Sequence, residues 1–175
     1  MEREFYTISV YVDENENMIG IPCGESDKYG IADIDTVLLL NAPYTDSQLE
    51  AYIEKVLDAC YTKKHNDAVE TSTIERYTKK KGFVNATADY TLLSIVKMQS
   101  GYSLMPTFND YERGPLAIDD DEHIVPLNYQ EGELAEVIRG FIEVYVKANM
   151  FYKEKAELAA EKAAKEAAEK QAKEN

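Results

Sequence analysis

The chain repeats itself, and the repeat limits what it can fold into. Shifting residues 6–35 by 84 positions aligns seven identities in 30: Tyr6/Tyr90, Thr7/Thr91, Val12/Val96, Pro22/Pro106, Gly30/Gly114, Ile34/Ile118 and Asp35/Asp119. Average residue usage gives about two by chance. One inserted residue moves the offset to 85, where Tyr44/Tyr129, Leu49/Leu134 and Ile53/Ile138 coincide and Val56/Phe141 and Leu57/Ile142 stay apolar. The alternative is two ordinary hairpin–helix units whose turn residues happen to agree.

The first copy reads as a strand over Tyr6–Val12, a polar turn over Asp13–Asn17 and a second strand over Met18–Pro22. A loop over Gly24–Asp35, with Gly30 at a turn, leads to a short buried strand over Val37–Leu40. A helix then starts where Thr45 caps, Gln48 reaches back and Tyr44 staples onto Leu49. Leu49, Ile53, Val56, Leu57 and Cys60 share its apolar face. The second copy has strands over Tyr90–Lys97, Tyr102–Thr107 and Ile124–Leu127, a loop over Asn109–Glu122, and a helix from Gly132 whose face is Leu134, Val137, Ile138, Phe141, Ile142 and Tyr145. A more polar helix over Asp67–Lys81, ended by Gly82, joins the copies. The expected fold is α+β: an antiparallel sheet packed by amphipathic helices, with a duplicated strand-strand-strand-helix unit. One domain covers residues 1–152, with units at about 5–62 and 89–151. Residues 153–175 form a solvated, fraying Ala/Glu/Lys helical tail, in which only Leu158 could pack and a coiled-coil seam is missing.

Thirty-three acidic residues against 19 basic ones give a net charge of −14 and a pI near 4.6. The tail has six Lys and six Glu, so the whole excess sits on residues 1–152. Such a surface repels nucleic acid and anionic membranes, so neither is an expected direct partner. No apolar run approaches the roughly 20 residues of a spanning helix, and MEREFYTISV is no secretory signal. A cytoplasmic location follows as the expectation, with Cys23 and Cys60 as reduced thiols. His65 and His123 are expected at the surface. Metal-ligand spacings, a GxSxG motif and phosphate-binding glycine loops are missing, so neither catalysis nor a metal or other cofactor is expected.

The acidic loops carry more information. The first copy offers Glu25, Asp27, Asp33 and Asp35; the second offers Asp110, Glu112, Asp119, Asp120, Asp121 and Glu122. Such charges serve solubility in many proteins, and calcium binding would need a ligand order that no EF-hand pattern here supplies. The sharper reading is a face for a basic protein. Four successive acids at Asp119–Glu122 repel one another, a cost that a cationic partner relieves. Phe108, Tyr102, Tyr111 and Tyr129 lie near in sequence, and aromatic anchors among charges suit a tight interface. The candidate binding residues are Tyr111, Glu112, Asp119, Asp120, Asp121 and Glu122, with occlusion by the Gly114–Glu122 loop as the mechanism.

Four segments carry a family resemblance: LEAYIEKVLDACY (49–61), YTKKKGFV (77–84), LSIVKMQSGYSLMPT (93–107) and IVPLNYQEGELAEVIRGFIE (124–143). Together, over about residues 37–146, they resemble the immunity proteins of contact-dependent growth inhibition systems. In that family a Lys-Gly-aromatic link precedes a hairpin ending near Pro-Thr, then an aliphatic strand and a closing amphipathic helix. Ala135 stands where that family usually has Gly, and residues beyond Phe151 have no counterpart. The resemblance implies an intracellular antitoxin, a monomer or weak homodimer, that occludes the active site of a cognate toxin domain, often a basic nuclease. It transfers no individual contact residue. Two other classes stay open: a phage-encoded anti-defence protein that mimics DNA, which the same charge fits, and a non-catalytic adaptor that oligomerises through its helical tail.

Overall fold

The structure is a computed structural model, and it describes residues 5–110 and 112–174. Among the described residues, eight strands form one curled antiparallel sheet: β1 (Phe5–Val12), β2 (Met18–Ser26), β3 (Gly30–Asp33), β4 (Leu38–Leu40), β5 (Thr91–Met98), β6 (Gly101–Asp110), β7 (Gly114–Ala117) and β8 (His123–Val125). The helices are α1 (Asp46–Asp58), α2 (Thr73–Thr78), α3 (Phe83–Thr87), α4 (Glu133–Phe141) and α5 (Lys147–Glu174). The strand order is β3-β2-β1-β5-β6-β7, with β4 also on β2 and β8 also on β6.

The pairing is the same in both halves. Cys23 faces Asp33 and Thr107 faces Ala117, both members displaced by 84. Met18 faces Leu40 and Tyr102 faces Val125, displaced by 84 and 85. At the centre Ile8 faces Ile95, Ser9 faces Ser94 and Val10 faces Leu93. At an offset of 85 Ser94 is the counterpart of Ser9, and the two flanking pairs exchange. A pseudo-two-fold axis therefore runs between Ser9 and Ser94.

Alternation along the strands splits the sheet into two faces. Ile8, Val10, Leu93, Ile95 and Leu104 point to the larger core, where Leu49, Ile53, Val56, Leu57 of α1 and Leu134 and Ile138 of α4 meet them. Each of these aliphatics, almost fully removed from water, contributes about 1.5–3 kcal/mol. The opposite face has a smaller core: Tyr11, Ile19 and Ile21 beneath Ile74 and Ala86 from the α2–α3 segment. The α1 start is a complete capping box, with Gln48 N–H donating to Thr45 Oγ1 (3.2 Å) and Thr45 N–H to Gln48 Oε1 (2.9 Å).

Three local expectations change. The Gly24–Asp35 and Asn109–Glu122 stretches are not loops throughout, because each folds into a hairpin whose return strand is β3 or β7. The expected helix over Asp67–Lys81 shrinks to α2. Asp67 is held elsewhere, accepting from Ser26 Oγ (2.6 Å) and Asp27 N–H (2.9 Å), so the helix starts at the Ser72/Glu75 capping box and stops at left-handed Lys79 (φ 57°). After Gly82 a separate short helix, α3, follows. At the C-terminal end, α4 runs through a π-helical segment (Ile142–Val146) into α5 without leaving right-handed helical backbone. The residues from Glu157 to Ala168 are all exposed, a projection of about 18 Å at 1.5 Å per residue.

Candidate functional site

The β7–β8 connection turns tightly because its backbone bonds to itself. Ile118 N–H donates to Pro106 O (3.1 Å), Asp121 N–H to Ile118 O (3.1 Å) and Glu122 N–H to Asp119 O (3.4 Å). Asp119–Asp121 thus form one 3-10 turn, and all four acids through Glu122 are exposed. Two carboxylates are anchored: Asp121 accepts from Tyr145 Oη and Glu122 accepts from Ser103 Oγ. Asp119 and Asp120 have no side-chain partner among the described residues.

Across from this turn lies the α4 end and the π-helical segment. Between them is a groove of about 520 Å³ with two unlike walls. One wall is Asp120, Asp121, Glu122 and His123; the other is Val137, Phe141 and Val144, with Tyr145 bridging. Val144 is 58% exposed. A side chain added at Gly140 would meet nothing within 4 Å, so the groove is open there. Burial, then the Asp121 carboxylate beside it, pushes the Tyr145 hydroxyl up to about 12, which keeps it neutral and donating. The site can hold a cationic group against the acids while its apolar stem lies on Phe141 and Val144.

The structure separates the other candidates from this groove. Glu112 sits at the β6–β7 tip, its N–H on Asp110 Oδ1 (2.9 Å). Glu122 is tied to Ser103, seven residues back along β6, or about 23 Å of extended strand. Tyr111 lies outside the described residues. Tyr102 is buried, donating to Glu54 from α1, with Lys97 Nζ 2.8 Å from the same carboxylate and Tyr129 stacked edge-on at 5.6 Å. Phe108 stacks on Tyr152 at 5.2 Å. The rings beside the acidic turn are Phe141 and Tyr145, which the sequence assigns to a helical core face. No sequence signal marks them out, because the apolar spacing stays regular through Tyr145 and Val146.

Among the described residues no helix is long and apolar enough to cross a membrane. No family model and no curated protein sequence matches the chain. Solved structures do match. One is a protein of unknown function from Neisseria meningitidis, at 15% identity and TM-score 0.63, covering 82% of this chain and 97% of that one. Another is a chain of the CdiA-CT/CdiI toxin and immunity complex from Yersinia pseudotuberculosis, at 13% identity and TM-score 0.57, covering 78% of this chain and 95% of that one. At these identities the likeness is one of fold, and it spans nearly the whole of both solved chains.

Proposed function

We propose that the protein is an immunity protein that binds a cognate toxin domain and occludes a basic, nucleic-acid-handling surface on it. The carrying observation is the groove in which Asp120, Asp121 and Glu122 face Phe141 and Val144 on a body that holds all of the net charge. The fold it shares with a chain of a toxin and immunity complex supports the same reading. The protein acts by binding: the acids steer a cationic surface inward, and the apolar wall holds it once water is expelled.

The test uses a candidate toxin domain taken from the same host strain. Wild-type protein binds it and suppresses its activity. Asp119→Lys with Asp120→Lys, whose side chains have no partner among the described residues, lowers the association rate by about tenfold and flattens its salt dependence. A toxin that ignores the wild-type protein overturns the reading; unchanged kinetics in the double variant removes the turn from the interface.

A further inference from the structure

The two halves share a backbone but not a covering. In the first half Ile34 N–H donates to Pro22 O (2.9 Å), and in the second Ile118 N–H donates to Pro106 O (3.1 Å), so the corners are equivalent. The first corner is covered from within the chain. Thr73 Oγ1 donates to Ile34 O (3.2 Å), Ile74 enters the small core over Tyr11 and Ile21, and an Arg76 nitrogen lies 3.4 Å from Asp35 Oδ1. As a result Ile34 and Ile21 are wholly buried and Tyr11 nearly so.

Among the described residues, the second corner has no counterpart of α2 on it. The counterparts of Tyr11, Ile21 and Ile34 are Val96, Met105 and Ile118, and all three are only half-buried. Ser103 stands where Ile19 stands in the first half; it is buried, and its hydroxyl donates to the Glu122 carboxylate at this face. Ile124, paired with Ser103 on the same side, is 51% exposed, as is its counterpart Leu39 beside α2's half, so the difference between the halves rests on Val96, Met105 and Ile118. Among the described residues there is no second α2, because α4 continues through Ile142 and Val146 into α5, and those residues pack in the core on the other side of the sheet. Among the described residues, Asp119, the counterpart of Asp35, has no arginine on it.

We propose that this unpartnered sheet face, formed by Val96, Met105 and Ile124 and bounded by the Ile118–Asp119 corner, docks a short basic helix of the partner, as α2 docks on the first half. The occupant presents an aliphatic residue to Met105 and an arginine to Asp119, two positions apart as Ile74 and Arg76 are. The net charge of −14 selects a cationic segment over an acidic or neutral one. This deepens the toxin reading and rests on it for the partner's identity, but not for the binding chemistry.

The probe is a synthetic peptide copying residues 71–81, TSTIERYTKKK, titrated into the full isotope-labelled chain. The expected result is saturable amide shifts at Val96, Met105, Ile118, Asp119 and Ile124, with a dissociation constant on the order of 1 mM. A peptide carrying Arg76→Glu binds at least about tenfold more weakly, and Asp119→Lys in the protein weakens the parent peptide about threefold or more. Absence of saturable shifts, equal binding of the Arg76→Glu peptide, or shifts confined to Tyr11, Ile19 and Ile21 through exchange with α2 overturns the inference. Hydrogen exchange with the candidate toxin domain separates the two claims. Protection that spares Val96, Met105 and Ile124 sinks the docking face and leaves immunity standing; peptide binding without toxin binding does the reverse.

Discussion

Glu50 Oε1 accepts the backbone N–H of Ala135 at 3.1 Å, and these residues occupy equivalent positions in the two halves, 85 apart. The contact therefore lies beside the pseudo-two-fold axis, where α1 and α4 meet. It cannot be symmetric, since alanine has nothing to return. The same oxygen takes Gly132 N–H at 2.9 Å, so a buried carboxylate from one helix caps the other, whose own N-cap is a glycine without a capping side chain. Glu50→Ala strands two donors and is expected to cost about 2–4 kcal/mol. Glu50→Gln keeps an acceptor and costs about 1 kcal/mol. Urea unfolding with an unchanged m-value checks both; equal midpoints for Ala and wild type would show that the cap contributes nothing.

Gly20 sets how closely α1 approaches the sheet. A Cβ there would stand 2.6 Å from Val56 Cγ2 and 2.7 Å from Tyr52 Oη, while Tyr52 donates to Leu38 O at 3.1 Å. The equivalent position in the second half is Leu104, fully buried, so the two helices seat differently. Gly20→Ala is expected to destabilise by about 1–3 kcal/mol. Val56→Ala alone opens a cavity at a cost of about 1–2 kcal/mol, but combined with Gly20→Ala it costs less than the sum. A double-mutant cycle that is additive would mean the methyl finds room elsewhere.

The offset found in the sequence is right for β2, β3, β6 and β7 and wrong by one for β1 and β5. Val12 pairs with Met18 across five residues, whereas Lys97 pairs with Tyr102 across four. The counterpart of Val12 is thus Lys97, not Val96, and a one-residue slip changes the face: Val12 lies in the larger core and Val96 on the open side. Identity counting rewarded the shared Tyr, Thr and Val and missed the turn length. β3 and β7, GIAD and GPLA, are glycine-led and four residues long, so local pattern reads them as turns; only their pairing to β2 and β6 makes them strands. At the candidate site the acids were legible because a run of like charge needs no fold to be seen. Phe141 and Tyr145 were not, because the wall they build depends on where α4 crosses the sheet.

Asp33 gives the protein a dependence on pH. Burial pushes its carboxyl up to about 6, partly opposed by Ser9 and by His65, whose Nδ1 sits 2.6 Å from Asp33 O. The unfolded chain releases this proton near 3.9. Between about pH 4 and 6 the folded state holds the proton and the unfolded state does not, so stability falls as pH rises through that window and levels off above it. Asp33→Asn removes the slope. It is expected to stabilise by about 1–2 kcal/mol at pH 7 and to be near neutral at pH 4. Thermal unfolding of both proteins across pH 4–7 decides; parallel curves would mean that Asp33 titrates as an ordinary carboxylate.

Asn149 fixes the root of α5. Its Oδ1 accepts Asn109 N–H at 3.0 Å, and its Nδ2 donates to Thr91 Oγ1 at 3.0 Å and Thr107 O at 3.4 Å, tying the helix to β5 and β6. Lys153, one turn on, reaches Asp89, which Lys80 also holds. From Glu157 to Ala168 nothing is buried, so helix propensity and Glu–Lys spacing alone support that part. The two stretches should respond differently. Asn149→Ala leaves Asn109 N–H without its acceptor and is expected to cost about 1–3 kcal/mol, with faster amide exchange at Asn109. Ending the chain at Ala160 removes helical circular-dichroism signal but shifts stability by less than about 0.5 kcal/mol. If the truncation instead destabilises the body as much as Asn149→Ala does, the projecting helix folds back on a surface that its exposure here does not account for.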